Sequence, residues 1–403
     1  MSDQSDISRS PVTIPNNIPT DWIWSSLTEV CNPRQWKTIS QSDLTKSGYK
    51  VFGANGFIGY YSDFNHEKET IAITCRGATC GTLNLVPPKT YITGNAMCLD
   101  GIKDTVWEKY LYYIISFRGL SDVISGSAQP QITGESLKFV TFPTPPLREQ
   151  QKIASIITSV DEVIEKTQSQ INKLEDLKKA TMNDLLTRGI GHTEFKDSEL
   201  GRIPKSWGVS QNVDLCERIM VGVVITPAKF YVSIGVPVLR SANVKEGFIT
   251  ATDLKFFTNE SNELMRKSIL KVGDVLTVRT GYPGISAVVD KSFAGGNCVD
   301  LLISRPKSMI CPDYLAYWIN SDFGRGQVLK KQGGLAQQHF NVSELQALIV
   351  VLPPKEEQLK IVEILNSIDH QTKNISAKKI NFINLKNSLM QDLLTGRVRV
   401  TVN

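Results

Sequence analysis

The sequence predicts an α+β protein in which two strand-rich globular domains alternate with two long helices that pair as an antiparallel coiled coil. Three observations support this fold class. A 44-residue segment occurs twice, apolar residues recur every seven positions within it, and a similar series of strand and turn signals precedes each copy. An internal repeat of this kind indicates a duplicated architecture. The chain should therefore have a pseudo-two-fold internal repeat.

The repeated segment starts at a Pro-Pro pair, at Pro145 in the first copy and at Pro353 in the second, with a constant offset of 208 residues. Sixteen of its 44 positions are identical, against roughly three expected by chance from ordinary composition. Proline is tolerated only at a helix start, and Glu149 and Glu357 suit the positive end of a helix. Each copy is therefore predicted to be one long helix.

Apolar residues follow a sevenfold spacing in these helices, most regularly in the second copy. Such spacing over this length indicates a coiled-coil seam, and each copy is the expected partner of the other. Leu177 and Leu385 flank the apolar stripe. A few polar residues interrupt the stripe, and they are predicted to fix the antiparallel register or, for most, to lie at its edge in water. They are Gln170, Asp184, Gln371, Lys378 and Asp392.

Five segments divide the chain. Residues 1–17 are rich in Ser, Asp and Asn and are predicted to be disordered. The strand-rich domains occupy 18–145 and 196–352, and the helical spacers occupy 146–195 and 353–403. Each domain is of ordinary size for an independent core.

The two domains share the order of their parts but few side chains. Each begins with Ile-Pro-x-x-Trp, ending at Trp22 and Trp207. In each, a predicted strand runs into a glycine-containing turn that starts with an arginine, Arg76 or Arg279. An aromatic helical stretch follows, for which core packing is favoured over base stacking. This order indicates one fold used twice with different surfaces.

Composition narrows the class of protein. Apolar residues make up 41% and charged residues 21% of the chain, and no run of 18 apolar residues occurs, so neither a membrane span nor a secretory signal is expected. Seven cysteines without metal-site spacing indicate a reducing cytoplasm, and the pair Cys75 and Cys80 does not predict zinc. No metal site is predicted.

Several cytosolic chemistries lack their motifs. The sequence has no P-loop, no Asn-Pro-Pro-aromatic motif of amino-methyltransferases and no restriction-type nuclease motif. Glycines at 53, 56 and 59 are interpreted as turns in a β-rich domain and not as a phosphate-binding loop. The net charge of +5 makes the chain a weak electrostatic DNA binder unless other subunits add phosphate contacts. No catalytic residue is predicted, and a binding subunit is favoured.

The arrangement resembles the specificity (S) subunit of type I restriction–modification enzymes. The signatures are Pro-Pro-Leu-x-Glu-Gln-x-x-Ile from Pro145, Asp-Leu-Leu-Thr from Asp184, and Gly-Arg-Ile-Pro-x-x-Trp from Gly201. The resemblance implies that each domain reads one half of a bipartite double-stranded DNA target. It also implies that the helices set the spacing and dock two methyltransferase (M) subunits. Motor–nuclease (R) subunits would join for restriction. AdoMet, ATP and Mg²⁺ would belong to partners, with no cofactor in this chain.

Candidate DNA contacts combine that expectation with side-chain chemistry. Arginine can grip guanine or phosphate with two hydrogen bonds, and amides can read adenine. Lysines beside glycines suit phosphate, and an exposed tyrosine can stack. A structural role stays open for each. The candidates are Arg76, Asn95, Gln129, Gln131, Arg279, Tyr282, Asn297, Lys330, Lys331, Gln337, Gln338 and His339.

Candidate spacer and partner-binding residues lie in the repeated helix signature. They are Glu149, Gln150, Ile153, Leu185, Leu186, Glu357, Gln358, Ile361, Leu393 and Leu394. Two other functions stay open from the residues. A coiled-coil adaptor that does not bind DNA would explain the helices but not the duplicated strand–arginine–glycine elements. A single-chain methyltransferase would need motifs that the sequence lacks.

Overall fold

The computed structural model describes residues 14–15, 17–126, 129–224, 227–330 and 340–402, without the side chain of Lys330. The predicted disorder of 1–17 thus falls almost wholly outside the described residues. The chain forms two compact units. Unit 1 comprises Met1–Gln168 and Ala377–Asn403, and unit 2 comprises Ser169–Ser376. Because these divisions fall inside the two long helices, the five predicted segments and their boundaries stay predictions.

The described part of unit 1 contains nine strands. Two short helices, three 3-10 turns and parts of two long helices accompany them. The strands are β1 Ile23–Ser26, β2 Asn32–Gln35, β3 Tyr49–Phe52, β4 Phe57–Tyr61, β5 Thr70–Thr74, β6 Leu83–Val86, β7 Thr90–Ile92, β8 Ala96–Asp100 and β9 Thr141–Thr144. The short helices are α1 Leu27–Val30 and α2 Glu108–Arg118, and the turns are Gln41–Asp43, Ser121–Val123 and Ser136–Phe139.

Two sheets build the first domain. The four-stranded sheet has the order β2-β8-β5-β6 with antiparallel neighbours. The three-stranded sheet has the order β4-β3-β7, in which β3 and β7 are parallel. The turn between β3 and β4 closes through Gly53 N–H, which donates to Gly56 O at 2.8 Å. Gly53 and Gly56 thus form a hairpin turn as predicted, whereas Gly59 lies within β4 and not in a turn. Strands β1 and β9 pair separately beside the long helix.

The two long helices are α3 Leu147–Arg188 and α9 Lys355–Leu394. Each begins directly after its Pro-Pro pair, as predicted. Asp161 of α3 pairs with Lys386 of α9, and Gln168 of α3 pairs with Lys379 of α9. A step of seven residues forward along α3 thus corresponds to a step of seven residues backward along α9. The helices are therefore antiparallel in unit 1.

In unit 2 the same pairing joins Lys178 of α3 to Asp369 of α9 at 2.7 Å. The polar interruptions of the stripe are exposed at Gln170, Asp184, Gln371 and Lys378 and half-exposed at Asp392. They lie in water, as predicted for most of them. The stripe itself is narrower than predicted, since Leu177 and Leu385 are 51% and 47% exposed.

Unit 2 repeats the topology of unit 1 in its described residues. Its strands are β10 Phe195–Ser198, β11 Gly201–Pro204, β12 Gly208–Gln211, β13 Cys216–Val221, β14 Val236–Leu239, β15 Val244–Lys245, β16 Phe248–Ile249, β17 Lys255–Phe257, β18 Val275–Val278, β19 Ser286–Val288, β20 Asn297–Cys298, β21 Leu301–Pro306 and β22 Ile349–Leu352. Its shorter helices are α4 Asn212–Leu215, α5 Asn259–Leu264, α6 Pro312–Asn320, α7 Asp322–Lys330 and α8 Val342–Gln346, with 3-10 turns at Pro227–Phe230, Ser241–Asn243 and Arg266–Ser268.

The sheet orders show the duplication directly. The sheet β13-β21-β18-β19 corresponds to β2-β8-β5-β6, and β17-β14-β20 corresponds to β4-β3-β7. The parallel pair recurs too, as β14 with β20. Hairpins β10–β11 and β15–β16 are additions in unit 2. One fold is therefore used twice, as predicted.

The aromatic stretches form the cores of the two domains. Tyr110, Tyr113, Tyr314 and Trp318 are at most 3% exposed, which confirms packing over base stacking. The seven cysteines are buried and unpaired. Within the described residues, neither long helix nor any shorter one combines the length and the apolar character that a membrane span requires.

Candidate nucleic-acid interface

Three predicted DNA-contacting residues of the first domain converge at the end of β5. Arg76 lies two residues after Thr74, the last residue of the strand, and forms an isolated antiparallel bridge with Gln131. The backbone carbonyl of Asn95 accepts a hydrogen bond from Cys75 N–H at 3.4 Å. Arg76, Asn95 and Gln131 are all exposed. The fold thus places a cation and two amide side chains together at one edge of the four-stranded sheet.

A tight turn presents the glutamines of this edge. Gly126 has φ +87°, and a Cβ at this position would lie 2.5 Å from the carbonyl oxygen of Gln129. Only glycine fits so close an approach at a positive φ. Ser125 and Gln131 close the turn with two backbone hydrogen bonds of 2.9 and 2.8 Å. The exposed side chains of Gln129 and Gln131 therefore project from a held backbone.

The second domain places Arg279 at the equivalent end of β18, in a different environment. Its guanidinium donates to Asp300 Oδ1 at 3.0 Å, and its side chain is 24% exposed. The carbonyl oxygen of Arg279 accepts from Phe340 N–H at 3.0 Å, just as the carbonyl oxygen of Cys75 in the first domain accepts from Ile132 N–H at 2.9 Å. Tyr282, three residues further on, is 79% exposed.

The two arginines therefore differ in available charge. Among the described residues no carboxylate lies within 4.0 Å of the guanidinium of Arg76, whereas Asp300 neutralises Arg279. Asp300 sits in the left-handed region at φ +52°, and its second oxygen accepts from Thr280 Oγ1 at 3.0 Å. A ligand must compete with Asp300 to reach Arg279, but Arg76 is already free of such competition in the described structure.

The structure shows that one predicted DNA contact is wrong, and the side chains of five other candidates lie outside the described residues. Asn297 is fully buried; its Oδ1 accepts from Ser268 Oγ at 2.8 Å and its Nδ2 donates to Asn262 Oδ1 at 2.9 Å. Its polar atoms are used inside the domain, because a buried amide needs its partners there. Five further candidates, or their side chains, lie outside the described residues: Lys330 (side chain), Lys331, Gln337, Gln338 and His339.

The repeated Glu-Gln pair of the long helices joins each domain to its helix. In unit 1 the amide of Gln150 accepts from Trp107 N–H at 2.7 Å and donates to the carbonyls of Thr105 and Pro145. In unit 2 Gln358 repeats this pattern with Cys311 N–H and the carbonyls of Met309 and Pro353. Both amides are fully buried. They fix the segment before the aromatic helix.

The glutamates of this pair hold the Ile-Pro-x-x-Trp motif. In unit 1 Glu149 accepts from the Trp22 indole at 3.1 Å and from Arg399 at 2.7 and 2.8 Å. Arg399 also binds Asp21, and this hydrogen bond lowers the pKa of Asp21. In unit 2 Glu357 accepts from the Trp207 indole at 2.9 Å, and His192 Nε2 lies 2.8 Å from it.

This geometry corrects the predicted partner-binding role of the signature residues. All ten are at most 9% exposed, apart from Glu357, whose side chain is 13% exposed. Their side chains pack between the helices and the domains, so they serve the spacer and not a surface for another subunit. The ten are Glu149, Gln150, Ile153, Leu185, Leu186, Glu357, Gln358, Ile361, Leu393 and Leu394.

Sequence reasoning missed a polar clamp that occurs once in each unit. In unit 1 Tyr113 donates to Asp161 at 2.8 Å, and Lys386 lies 2.6 Å from the same carboxylate. In unit 2 Tyr317, Asp369 and Lys178 repeat this arrangement at 2.8 and 2.7 Å. Burial is the main cause that raises the pKa of both tyrosines, so each stays a donor. Asp161 and Asp369 are identical at the 208-residue offset, as are Lys178 and Lys386. This identity is the sequence pattern from which the clamp could have been predicted.

Comparisons with known proteins agree with this architecture. The sequence matches the family described as "Type I restriction modification DNA specificity domain" over residues 19–176 and 204–385. The MjaVIII specificity subunit of a type I restriction enzyme from Methanocaldococcus jannaschii is 28% identical, covering 72% of this chain and 70% of that protein. The EcoBI specificity subunit from Escherichia coli is 20% identical, covering 87% and 74%.

Solved structures share the fold. The S subunit of a type I restriction–modification system from M. genitalium has a TM-score of 0.61 at 15% identity, covering 98% of this chain and 100% of that one. A chain solved in work on complex assembly and conformational transition of the type I R-M system has a TM-score of 0.57 at 17% identity, covering 95% and 100%.

Proposed function

Because this chain belongs to the type I restriction–modification DNA specificity family, we propose that each of its two domains reads one half of a bipartite double-stranded DNA target. The observation that carries this proposal is the repeated end-of-strand arginine, at Arg76 and Arg279, on two copies of one sheet topology. Equivalent backbones with different neighbouring side chains suit two different half-sites. We assign no catalytic step to this chain.

In the first domain Arg76 and Gln131 supply the chemistry for base recognition. A guanidinium can donate two hydrogen bonds to guanine O6 and N7, and a glutamine amide can pair with adenine N6 and N7. Arg76 and Gln131 are adjacent through their backbone bridge, so they can reach neighbouring bases. In the second domain Tyr282 is the exposed aromatic beside Arg279, and it can stack on a base or sugar.

Replacing Arg76 tests this role. Arg76→Ala in the assembled methyltransferase is expected to weaken binding to the specific site by roughly 10–100-fold, since a good bidentate contact contributes about 1–3 kcal/mol. Arg76→Lys keeps the charge but loses the two-pronged geometry. If Arg76 reads a base, both variants relax one position of one half-site in a methylome; if it only binds phosphate, lysine restores the wild-type pattern.

Lys138→Ala is the matched control, since this exposed lysine of the same domain is paired with Glu135. It should leave the methylated motif unchanged. An unaltered motif for Arg76→Ala, or a change in both half-sites, would contradict the assignment of one domain to one half-site.

We further propose that each repeat docks one M subunit through an exposed leucine, Leu177 in unit 2 and Leu385 in unit 1. These leucines occupy the same position of the internal repeat, and each is about half exposed, at 51% and 47%. Exposed leucines on the surface of a helix are suitable anchors for a partner. AdoMet would then bind the M subunits, and ATP and Mg²⁺ the R subunits of the full cytoplasmic complex.

Introducing a negative charge at these leucines tests the docking. Leu177→Glu or Leu385→Glu alone is expected to reduce the complex from two M subunits to one, and the double variant to none, as measured by native mass spectrometry. Leu359→Glu is the control, because Leu359 is equally exposed at 51% but its repeat counterpart is Gln151. Two M subunits on the double variant would exclude this surface.

A further inference from the structure

Three side chains that bind transition metals meet between the two sheets of the first domain. His66 Nε2, Cys98 Sγ and a carboxylate oxygen of Asp100 all lie within 4.8 Å of one another. His66 is 8% exposed and Cys98 is fully buried. Within the part of the chain that the structure describes, no second group of three His, Cys, Asp or Glu side chains is placed this way.

The backbone explains how these residues meet. Side chains of a strand alternate between its faces, so Cys98 and Asp100 of β8 share one face. His66 belongs to the segment that bridges β7 at Thr90, through hydrogen bonds of 3.2 and 3.3 Å. Strand β8 belongs to the four-stranded sheet and β7 to the three-stranded sheet. The cluster therefore links one sheet to the other.

Asn65 fixes the proton on the imidazole of His66. Its Oδ1 accepts from Ile92 N–H at 2.7 Å and its Nδ2 donates to Ile92 O at 2.9 Å, which determines the orientation of the amide. His66 Nδ1 lies 2.7 Å from the same Oδ1, so Nδ1 must donate. A neutral His66 then directs the Nε2 lone pair at Asp100 Oδ1, 3.2 Å away. A lone pair facing a carboxylate requires a proton or a cation between them.

Asp100 is oriented in the same manner, and Cys98 leaves its sulfur atom available. The Trp36 indole donates to Asp100 Oδ2 at 2.9 Å, which leaves Oδ1 for the cluster. Among the described residues the buried Sγ of Cys98 has no hydrogen-bond partner. Outer hydrogen bonds that orient a histidine and a carboxylate are typical of metal sites. The cluster thus has both ligand atoms and the groups that aim them.

We propose that the first domain binds one Zn²⁺ ion through His66 Nε2, Cys98 Sγ and Asp100 Oδ1. Zn²⁺ accepts nitrogen, sulfur and oxygen ligands at about 2.0–2.3 Å. Because the three ligand atoms already lie within 4.8 Å of one another, side-chain shifts on the order of 1 Å suffice to bring them to these distances. Binding breaks the S–H bond of Cys98 and releases its proton to solvent, and water takes the fourth position. The ion cross-links the two sheets behind the proposed DNA-reading edge.

The site is particular to the first domain. Cys98 pairs with Ala72. Both lie in the cluster between the two sheets. In the second domain the paired residues on this inter-sheet face are Leu276 and Ile303, which pack with Leu239 of β14. Neither leucine nor isoleucine offers a ligand atom to a metal ion. One ion per chain is therefore expected, and not two.

Metal binding by the full-length chain tests the proposal. The chelator-treated protein is equilibrated with ZnCl₂, and bound zinc is measured by elemental analysis after gel filtration. One Zn²⁺ per chain is expected. Titration with CoCl₂ should produce a thiolate-to-cobalt absorption band in the near ultraviolet, which reports a Co–S bond directly. A wild-type cobalt spectrum without this band would overturn the proposal, whatever the variants do.

Variants locate the bound ion. Cys98→Ala and His66→Ala should lose the ion and the absorption band, whereas Cys80→Ala, which alters another buried cysteine of the same domain, should keep both. Trp36→Phe keeps an aromatic side chain but removes the indole N–H that donates to Asp100, and it should weaken zinc binding by roughly 10–100-fold. Retention of one tightly bound ion by both Cys98→Ala and His66→Ala would place the metal elsewhere and overturn the proposal.

Discussion

Replacing Gln150 with leucine is expected to lower the free energy of unfolding of unit 1 by about 3 kcal/mol. The fully buried amide serves Trp107 N–H and the carbonyls of Thr105 and Pro145. Leucine fills a similar volume, which keeps water out, so these three backbone groups would lose their partners without replacement. Such a loss is a large share of the stability of an ordinary domain.

Gln151 offers a matched control, because it is the next residue of the same helix and is exposed. Gln151→Leu should change the free energy of unfolding by less than about 0.5 kcal/mol. Hydrogen exchange of peptides from Glu108–Arg118 locates the effect, since Gln150 holds the start of that helix. Gln150→Leu should accelerate exchange there and leave unit 2 unchanged. Equal effects of the two substitutions would contradict the stabilising role of the buried Gln150 amide.

The architecture was predictable because the sequence repeats at a fixed offset and its apolar residues recur at regular spacing. The Pro-Pro pairs determine where α3 and α9 begin, and the repeat indicated that one fold occurs twice. Strand β5 was recognisable from Thr70 to Thr74 because alternation is a local property. The pairing of β3 with β7 is parallel and joins distant residues, and no local pattern specifies which distant strands pair.

The candidate site was less predictable because burial depends on tertiary contacts. Arg76 and Asn297 both lie beside glycine-containing turns, but Arg76 is exposed and Asn297 is enclosed by Asn262 and Ser268. The signature glutamines were predicted as spacer or partner-binding residues, since sequence gives no indication of which domain segment covers them. Likewise, 31 residues separate His66 from Cys98 in the sequence, a distance that matches no common metal motif.

Lengthening both long helices by one heptad is expected to lengthen the unread DNA spacer by about three base pairs, while the half-sites stay the same. Seven residues add roughly 10.5 Å of helix, and each base pair occupies about 3.4 Å of the DNA axis. The insertions belong after Gln168 in α3 and after Ser376 in α9, where the chain passes from one compact unit to the other. Methylome sequencing of cells that carry the variant measures the spacer.

Both insertions are required because the register is antiparallel. Asp161 faces Lys386 and Gln168 faces Lys379, so seven residues added to α3 alone would have no counterpart in α9. The single insertion is therefore the control and should give no methylated split motif, whereas the double insertion restores a continuous sevenfold seam. If the double variant methylates the wild-type motif with its original spacer, helix length does not set the distance between half-sites, and the spacer role of α3 and α9 is excluded.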